Sequence, residues 1–175
     1  MSLPRVGSDA DRYCCADRLF GAHAVSTKSL MKAAIFVEPG RIVLDDKNVP
    51  DVGPTDALLK VTTTTICGTD IHILKGEYLV AKGLTVGHEP VGIIEKLGSA
   101  VTGYTEGQRV IAGAITPSGH SYASLCGCLS QDGPGTDSGF KAAGGWRFGN
   151  TIDGCQAEYV TSPTPWPTSA QFLTS

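Results

Sequence analysis

Residues 87–97 read Gly-His-Glu-Pro-Val-Gly-Ile-Ile-Glu-Lys-Leu, so a histidine and a glutamate come just before a run of residues typical of a strand. A second candidate ligand follows another such run. Residues 57–65 are rich in β-branched side chains, and Cys67 stands two positions later in Cys67-Gly68-Thr69-Asp70-Ile71-His72. Side chains at strand ends are held more rigidly than those in a long loop. The two stretches therefore predict a functional site at the ends of two strands.

The rest of the sequence predicts a mostly β fold, because short β-prone runs recur and helix signals are weak. We expect a distorted β-barrel with short helices and long Gly-rich loops. Only one helical turn is expected near the site, over 70–74, and residues 113–154 predict a long loop region. The other β-prone runs are 32–37, 41–44, 108–112 and 156–160.

The sequence divides into three parts. Residues 1–30 predict an N-terminal extension outside the fold, because the chain changes abruptly to a β-prone run after Met31. Residues 31–160 form the predicted domain. Residues 161–175 are rich in Pro, Ser and Thr and lack an apolar face, which predicts an unstructured or poorly packed tail.

Composition excludes several classes of function. The chain has 175 residues, a formal net charge of -3 and no long block of like charge, so we expect no nucleic-acid partner. No apolar run is long enough to predict a membrane helix. The six cysteines do not form the spacing of a disulfide framework, which favours a reducing compartment, the cytoplasm.

Cys67 and His88 offer zinc two of its preferred ligand types, and catalytic zinc keeps three protein ligands and one open position. Glu89 could be a transient ligand, or it could contact the ligands without binding the metal itself. Asp70 could accept the second ring proton of His88. Residues Thr69 and His72, one helical turn apart, could pass a proton to solvent.

Each of these residues also has a simpler interpretation. A lone cysteine beside a strand is usually an inert core residue, and a lone histidine is usually a hydrogen-bonded core or surface group. Asp70 could serve only as a helix cap. Glu89 could be a solvated carboxylate. Spacing alone leaves these alternatives open.

A family resemblance favours the metal site. Residues 87–92, followed by Gly98 and Val101, fill every fixed position of the zinc alcohol dehydrogenase signature: Gly-His-Glu, two residues, Gly, five residues, Gly, two residues and an aliphatic. With Cys67–His72 upstream, the chain resembles the GroES-like catalytic domain of a medium-chain dehydrogenase/reductase. The resemblance covers residues 31–160 and is strongest to the bacterial tetrameric branch that acts on short-chain alcohols.

The resemblance implies a role for each site residue. Cys67 and His88 would be catalytic zinc ligands, Glu89 the adjoining carboxylate, Asp70 the support of His88, and Thr69 with His72 the proton relay. It also implies NAD or NADP as cofactor, an alcohol and its aldehyde or ketone as ligands, and a homo-oligomer, the tetramer. Residues 146–149 resemble a segment of the same branch that belongs to either a substrate or a subunit surface.

Two family features do not appear in the sequence. No Gly-x-Gly-x-x-Gly motif follows a strand, so we expect the Rossmann domain to be absent and no cofactor-binding residue to be present. The third zinc ligand of the family, an Asp or Cys, belongs to the segment after Val160, where we find no candidate. With only Cys126 and Cys128 in the corresponding stretch, the ligand count disfavours a structural zinc. These features predict a chain truncated before the Rossmann domain.

Three functions are therefore considered. The first is the catalytic domain of a zinc- and NAD(P)-dependent alcohol dehydrogenase. The second is an inactive fragment that binds zinc weakly through Cys67 and His88. The third is a GroES-like binding module without chemistry, because the fold alone does not fix a function.

Overall fold

The computed structural model describes residues 30–133 and 140–163, and the backbone of residues 172–174. The first two strands, β1 (Leu30–Glu38) and β2 (Arg41–Asn48), form an antiparallel hairpin. The turn between them uses Gly40 at φ +83°, a conformation that costs a glycine little. Along β1, Met31 and Ala33 face inward while their neighbours are exposed, the period of two expected of a half-buried strand.

Five further strands form the main sheet, and every neighbouring pair is antiparallel. Apolar side chains of the sheet, including Leu59, Ile94 and Val110, form a core together with Phe148 from a loop, and all four are almost fully buried. Burial of this kind stabilises the sheet by about 25 cal/mol per Å² of apolar surface. The strands are β3 (Asp56–Thr64), β4 (Pro90–Leu97), β5 (Arg109–Ala112), β6 (Tyr159–Pro163) and β7 (Phe172–Thr174). Their spatial order in the sheet is β6-β3-β4-β5-β7.

The hairpin joins the rest of the domain through backbone contacts. Isolated bridges pair Ala33 with Ala157 and Ile35 with Thr85. The side chain of Lys47 donates to the carbonyl of Gly83 at 2.8 Å and forms an ion pair with Asp153 at 2.5 Å. These contacts fix β1 against the segment that leads to His88.

Helices are few and short in the part of the chain that the structure describes. They are α1 (Gly68–Leu74), α2 (Tyr122–Leu125) and a 3₁₀ helix (Leu129–Gln131). No helix among the described residues is long and apolar enough to cross a membrane. The prediction of a mostly β fold with short helices is confirmed.

Some predicted boundaries were wrong. The sixth strand begins at Tyr159 rather than residue 156 and continues to Pro163. The strand Phe172–Thr174 pairs with β5, so the expectation of an unstructured end over residues 161–175 is wrong at 161–163 and 172–174. At residues 161–163, sheet hydrogen bonds to β3 override the low β propensity of Ser and Pro. The predicted extension, apart from Leu30, and the rest of the predicted tail lie outside the described residues.

Candidate metal centre

The pairing of β3 with β4 brings the two candidate ligand stretches together. Thr64, the last residue of β3, lies opposite Pro90, the first residue of β4. Cys67 comes shortly after the end of β3, and Glu89 comes directly before the start of β4. The thiol of Cys67, a ring nitrogen of His88 and a carboxylate oxygen of Glu89 consequently lie within 4.8 Å of one another.

Helix α1 anchors the cysteine. Ile73 on this helix is fully buried against Phe36 and Val86, which fixes the helix to β1 and to the segment before His88. At the helix start, Asp70 Oδ2 accepts a hydrogen bond from the Cys67 backbone N–H at 2.8 Å. The capping interpretation of Asp70 is therefore correct, and the cap holds the backbone of the candidate ligand itself.

The same carboxylate faces His88. Both side chains are buried, at 4% exposure for Asp70 and 6% for His88. Asp70 Oδ1 lies 3.8 Å from His88 Nδ1, and neither atom has a hydrogen-bond partner in the described part of the chain. A separation of 3.8 Å is too long for a hydrogen bond. Since Nδ1 faces Asp70, Nε2 is the ring nitrogen left for a ligand.

The third donor, Glu89, is exposed. Its Oε2 atom accepts a hydrogen bond from the hydroxyl of Thr65, a residue in the short link between β3 and Cys67. The hydroxyl thus directs this carboxylate toward the cysteine side of the site.

The two residues expected to relay a proton sit on α1. The Thr69 hydroxyl lies 3.7 Å from the Cys67 sulfur. His72 is half exposed, and its Nδ1 is paired with Glu77, whose pKa this hydrogen bond lowers. Among the described residues no hydrogen bond joins Thr69 directly to His72, so the relay stays a prediction.

Aromatic rings extend from the site toward the surface. Trp146 meets His88 edge to face with ring centroids 5.9 Å apart, and Tyr78 meets Trp146 in the same way at 5.6 Å. The indole N–H of Trp146 donates to the carbonyl of Phe148 at 2.9 Å, which fixes the ring. One residue of the 146–149 stretch therefore forms a wall of the candidate metal centre.

Sequence reasoning missed Thr65 and Gln156. The Gln156 side chain donates to Asp70 Oδ2 at 3.2 Å across 86 positions of sequence. No spacing rule indicates such a contact, because it depends on how the segment 154–156 crosses the segment 85–87. The threonine run at 62–65, shortly before Cys67, is the sequence feature that could have indicated a role for Thr65 at the site.

The donor set fits zinc. Thiolate, imidazole and carboxylate are ligand types that Zn²⁺ accepts, and three of them converge here beside a buried carboxylate suited to hold the histidine ring. Cys155, although buried near this site, is not part of the cluster, and its burial raises the pKa of its thiol to about 11. Such a thiol stays protonated and is a poor ligand near neutral pH.

Comparisons with known proteins agree with this geometry. The family model for the alcohol dehydrogenase GroES-like domain matches residues 53–169, and so extends past Val160, where we expected the family resemblance to end. An alcohol dehydrogenase of Cupriavidus necator is 70% identical over 142 residues, which is 77% of this chain and 39% of that protein. An L-threonine 3-dehydrogenase of Xanthomonas campestris pv. campestris is 37% identical over 149 residues, 81% of this chain and 41% of that protein.

Solved structures show the same fold. Zinc-dependent alcohol dehydrogenase 2 from Streptococcus pneumonia, in its apo form, has 33% sequence identity and a TM-score of 0.68, covering 83% of this chain and 38% of that one. A dehydrogenase of Sinorhizobium meliloti 1021, described as zinc-binding and bound to NADP, has 31% identity and a TM-score of 0.67, covering 84% and 39%.

The chain spans about two fifths of the length of the curated relatives it matches. The family model, by contrast, matches well over half of this chain, and the matched residues include the strands and loops that carry Cys67, His88 and Glu89. The chain belongs to the alcohol dehydrogenase GroES-like domain family.

Proposed function

We propose that this chain forms the catalytic domain of a zinc- and NAD(P)-dependent alcohol dehydrogenase that oxidises short-chain alcohols to aldehydes or ketones. The observation that carries the proposal is the convergence of the Cys67, His88 and Glu89 donor atoms within 4.8 Å. The 70% identity to an alcohol dehydrogenase supports the same class of reaction.

Cys67 and His88 are the proposed zinc ligands, with Glu89 as the adjoining carboxylate. Bound zinc would lower the pKa of an alcohol hydroxyl, and the nicotinamide would accept the hydride. Asp70 would accept the Nδ1 proton of His88, which keeps the other ring nitrogen unprotonated and directed at the metal.

Thr69 and His72 are the proposed path for the alcohol proton. The hydroxyl of Thr69 is beside the cysteine sulfur, and His72 is open to solvent one helical turn later. Glu77 holds Nδ1 of the His72 ring, so its Nε2 is the atom available for proton exchange. An exposed imidazole in this position can pass a proton on to water.

The cofactor and the assembly are further proposals. Because the sequence contains no Gly-x-Gly-x-x-Gly motif, we propose that NAD or NADP is held by a domain other than this one. A relative with 31% identity contains NADP. We also propose a homo-oligomer, with a tetramer as the complete form, and a cytoplasmic location.

A chimera tests the activity. The N-terminal part of the Cupriavidus necator enzyme is replaced by residues 31–160 of this chain, and 2-propanol oxidation is followed by reduction of NAD⁺ or NADP⁺. The zinc-loaded chimera should turn over, and its Cys67→Ser variant should not. A folded chimera that retains zinc and reduces neither nicotinamide would refute the proposed reaction and favour a non-enzymatic module.

A further inference from the structure

Gln156 lies next to the candidate metal centre, with its backbone fixed on two sides. Its N–H donates to the carbonyl of Val86 at 2.9 Å, and its carbonyl accepts from the N–H of Ala34 at 2.8 Å. The residue is thereby held between β1 and the segment that leads into His88. The backbone of Gln156 is therefore held in place, and its side chain extends toward Asp70 on α1.

The Gln156 amide completes the hydrogen bonding of one carboxylate oxygen. Asp70 Oδ2 accepts from Gln156 Nε2 at 3.2 Å and from the Cys67 N–H at 2.8 Å. Oδ1 accepts nothing from the described residues and faces His88 Nδ1 at 3.8 Å. Two donors on one oxygen fix the rotation of the carboxylate, so the other oxygen points at the histidine.

Gln156 also packs closely against Gly87, the residue before His88. A Cβ atom built at Gly87 would lie 2.6 Å from Gln156 Cγ and 2.8 Å from Gln156 N. Only a glycine beside His88 allows the two segments to cross so closely. The side chain of Gln156 thus packs on the backbone of the ligand-bearing segment and also holds the carboxylate that faces the ligand.

We propose that Gln156 is a positioning residue for the zinc ligand His88 and that it acts through Asp70. The inference rests on the proposed zinc site. Gln156 is not one of the three residues whose donor atoms cluster at the candidate metal centre. By holding Asp70 Oδ2, it keeps Oδ1 available for the Nδ1 proton of His88 and leaves Nε2 as the metal-binding atom. Partners that orient a metal-binding histidine typically contribute a factor of about 10–100 to metal affinity.

Gln156→Met tests the inference, because methionine has nearly the length of glutamine and no hydrogen-bond donor. The matched control is Gln131→Met, at an exposed glutamine in the 3₁₀ helix. Zinc affinity is measured by competition with a chromophoric chelator, and the ligand field is read from the visible spectrum of the Co²⁺-loaded chain. We expect Gln156→Met to weaken zinc binding about 10–100-fold and to shift the Co²⁺ spectrum, with the control unchanged.

A double-mutant cycle with Asp70→Asn separates this role from a general packing role. If Gln156 acts through Asp70, Gln156→Met should cost much less zinc affinity in the Asp70→Asn background than in the wild type. Additive effects would overturn the inference. If Gln156→Met does not fold, Gln156→Asn, one methylene shorter, replaces it in the same cycle.

The two proposals fail in different ways. If the wild type and Gln131→Met bind zinc, and Gln156→Met matches both in affinity and Co²⁺ spectrum, the role of Gln156 is refuted and the zinc site stands. If the wild type binds no zinc, the zinc site is refuted, and the role of Gln156 with it.

Discussion

Replacing Gly87 by alanine should damage the domain more than an equivalent change at another glycine of positive φ. Gly87 adopts φ +96°, and an added Cβ would lie 2.6 Å from Gln156 Cγ. The left-handed backbone costs an alanine about 1–2 kcal/mol. Forcing the crossing segments apart adds about 1–3 kcal/mol. The expected loss in free energy of unfolding is therefore about 2–5 kcal/mol.

Gly103→Ala is the matched control, because Gly103 has φ +84° and no atom within 4 Å of an added Cβ. It should cost only the backbone part, about 1–2 kcal/mol. Urea denaturation of both variants, followed by circular dichroism, measures the difference. With a slope of about 2 kcal/mol per molar urea, the midpoint of Gly87→Ala should lie about 0.5–1.5 M below that of Gly103→Ala. Equal midpoints would refute the claim that Gln156 packs against the segment bearing His88.

Two further predictions concern buried ionisable groups. Burial alone would raise the pKa of Asp132, but hydrogen bonds from Ser121, Ser124 and Ser118 outweigh it and the pKa lies below its ordinary value. The stabilisation from this charge is therefore present above about pH 4 and lost as the pH falls through the folded-state pKa. Asp132→Asn should cost about 1–3 kcal/mol in thermal unfolding at neutral pH and flatten this acid dependence, with Asp51→Asn at the surface as control. Equal stability of the two variants would contradict a stabilising role for the serine hydrogen bonds to Asp132. Burial raises the pKa of Cys155 to about 11, so its thiol stays neutral in the folded chain below pH 9. The contribution of this neutral thiol to the free energy of unfolding is lost as the pH rises through 11. Iodoacetamide at mildly alkaline pH should modify the exposed thiols of the native chain and reach Cys155 only after unfolding, as peptide mass spectrometry would show; rapid native labelling of Cys155 would contradict its burial.

The site could be predicted from the sequence where ligand and strand are neighbours. His88 and Glu89 come directly before β4, and two residues separate Cys67 from the end of β3. Antiparallel pairing of two such strands is enough to bring their ends together. A ligand that lies next to a strand in the sequence can therefore be placed at that strand's end from the local sequence alone.

Other features of the site depend on contacts that no local pattern encodes. Gln156 meets Asp70 only because distant segments cross at Gly87. The Ser- and Gly-rich stretch predicted as a loop is organised by Asp132, which is 1% exposed and accepts hydrogen bonds from several serines. Such a structure has no hydrophobic period, so periodicity cannot reveal it. The strand Phe172–Thr174 was missed for another reason: a run of three residues is too short to show the alternation of a strand, and its pairing with β5 joins parts of the sequence about 60 residues apart.

The most direct test of the candidate metal centre is the zinc content of the purified chain. It is measured after dialysis by inductively coupled plasma mass spectrometry. The wild type should hold one zinc ion per chain, and Cys67→Ser should lose it, because a serine hydroxyl is a much weaker zinc ligand than a cysteine sulfur. Cys126→Ser, at an exposed cysteine far along the chain, serves as the control and should keep its zinc. A wild type without zinc, or a Cys67→Ser variant that retains as much zinc as the wild type, would contradict the assignment of Cys67, His88 and Glu89 as a metal site.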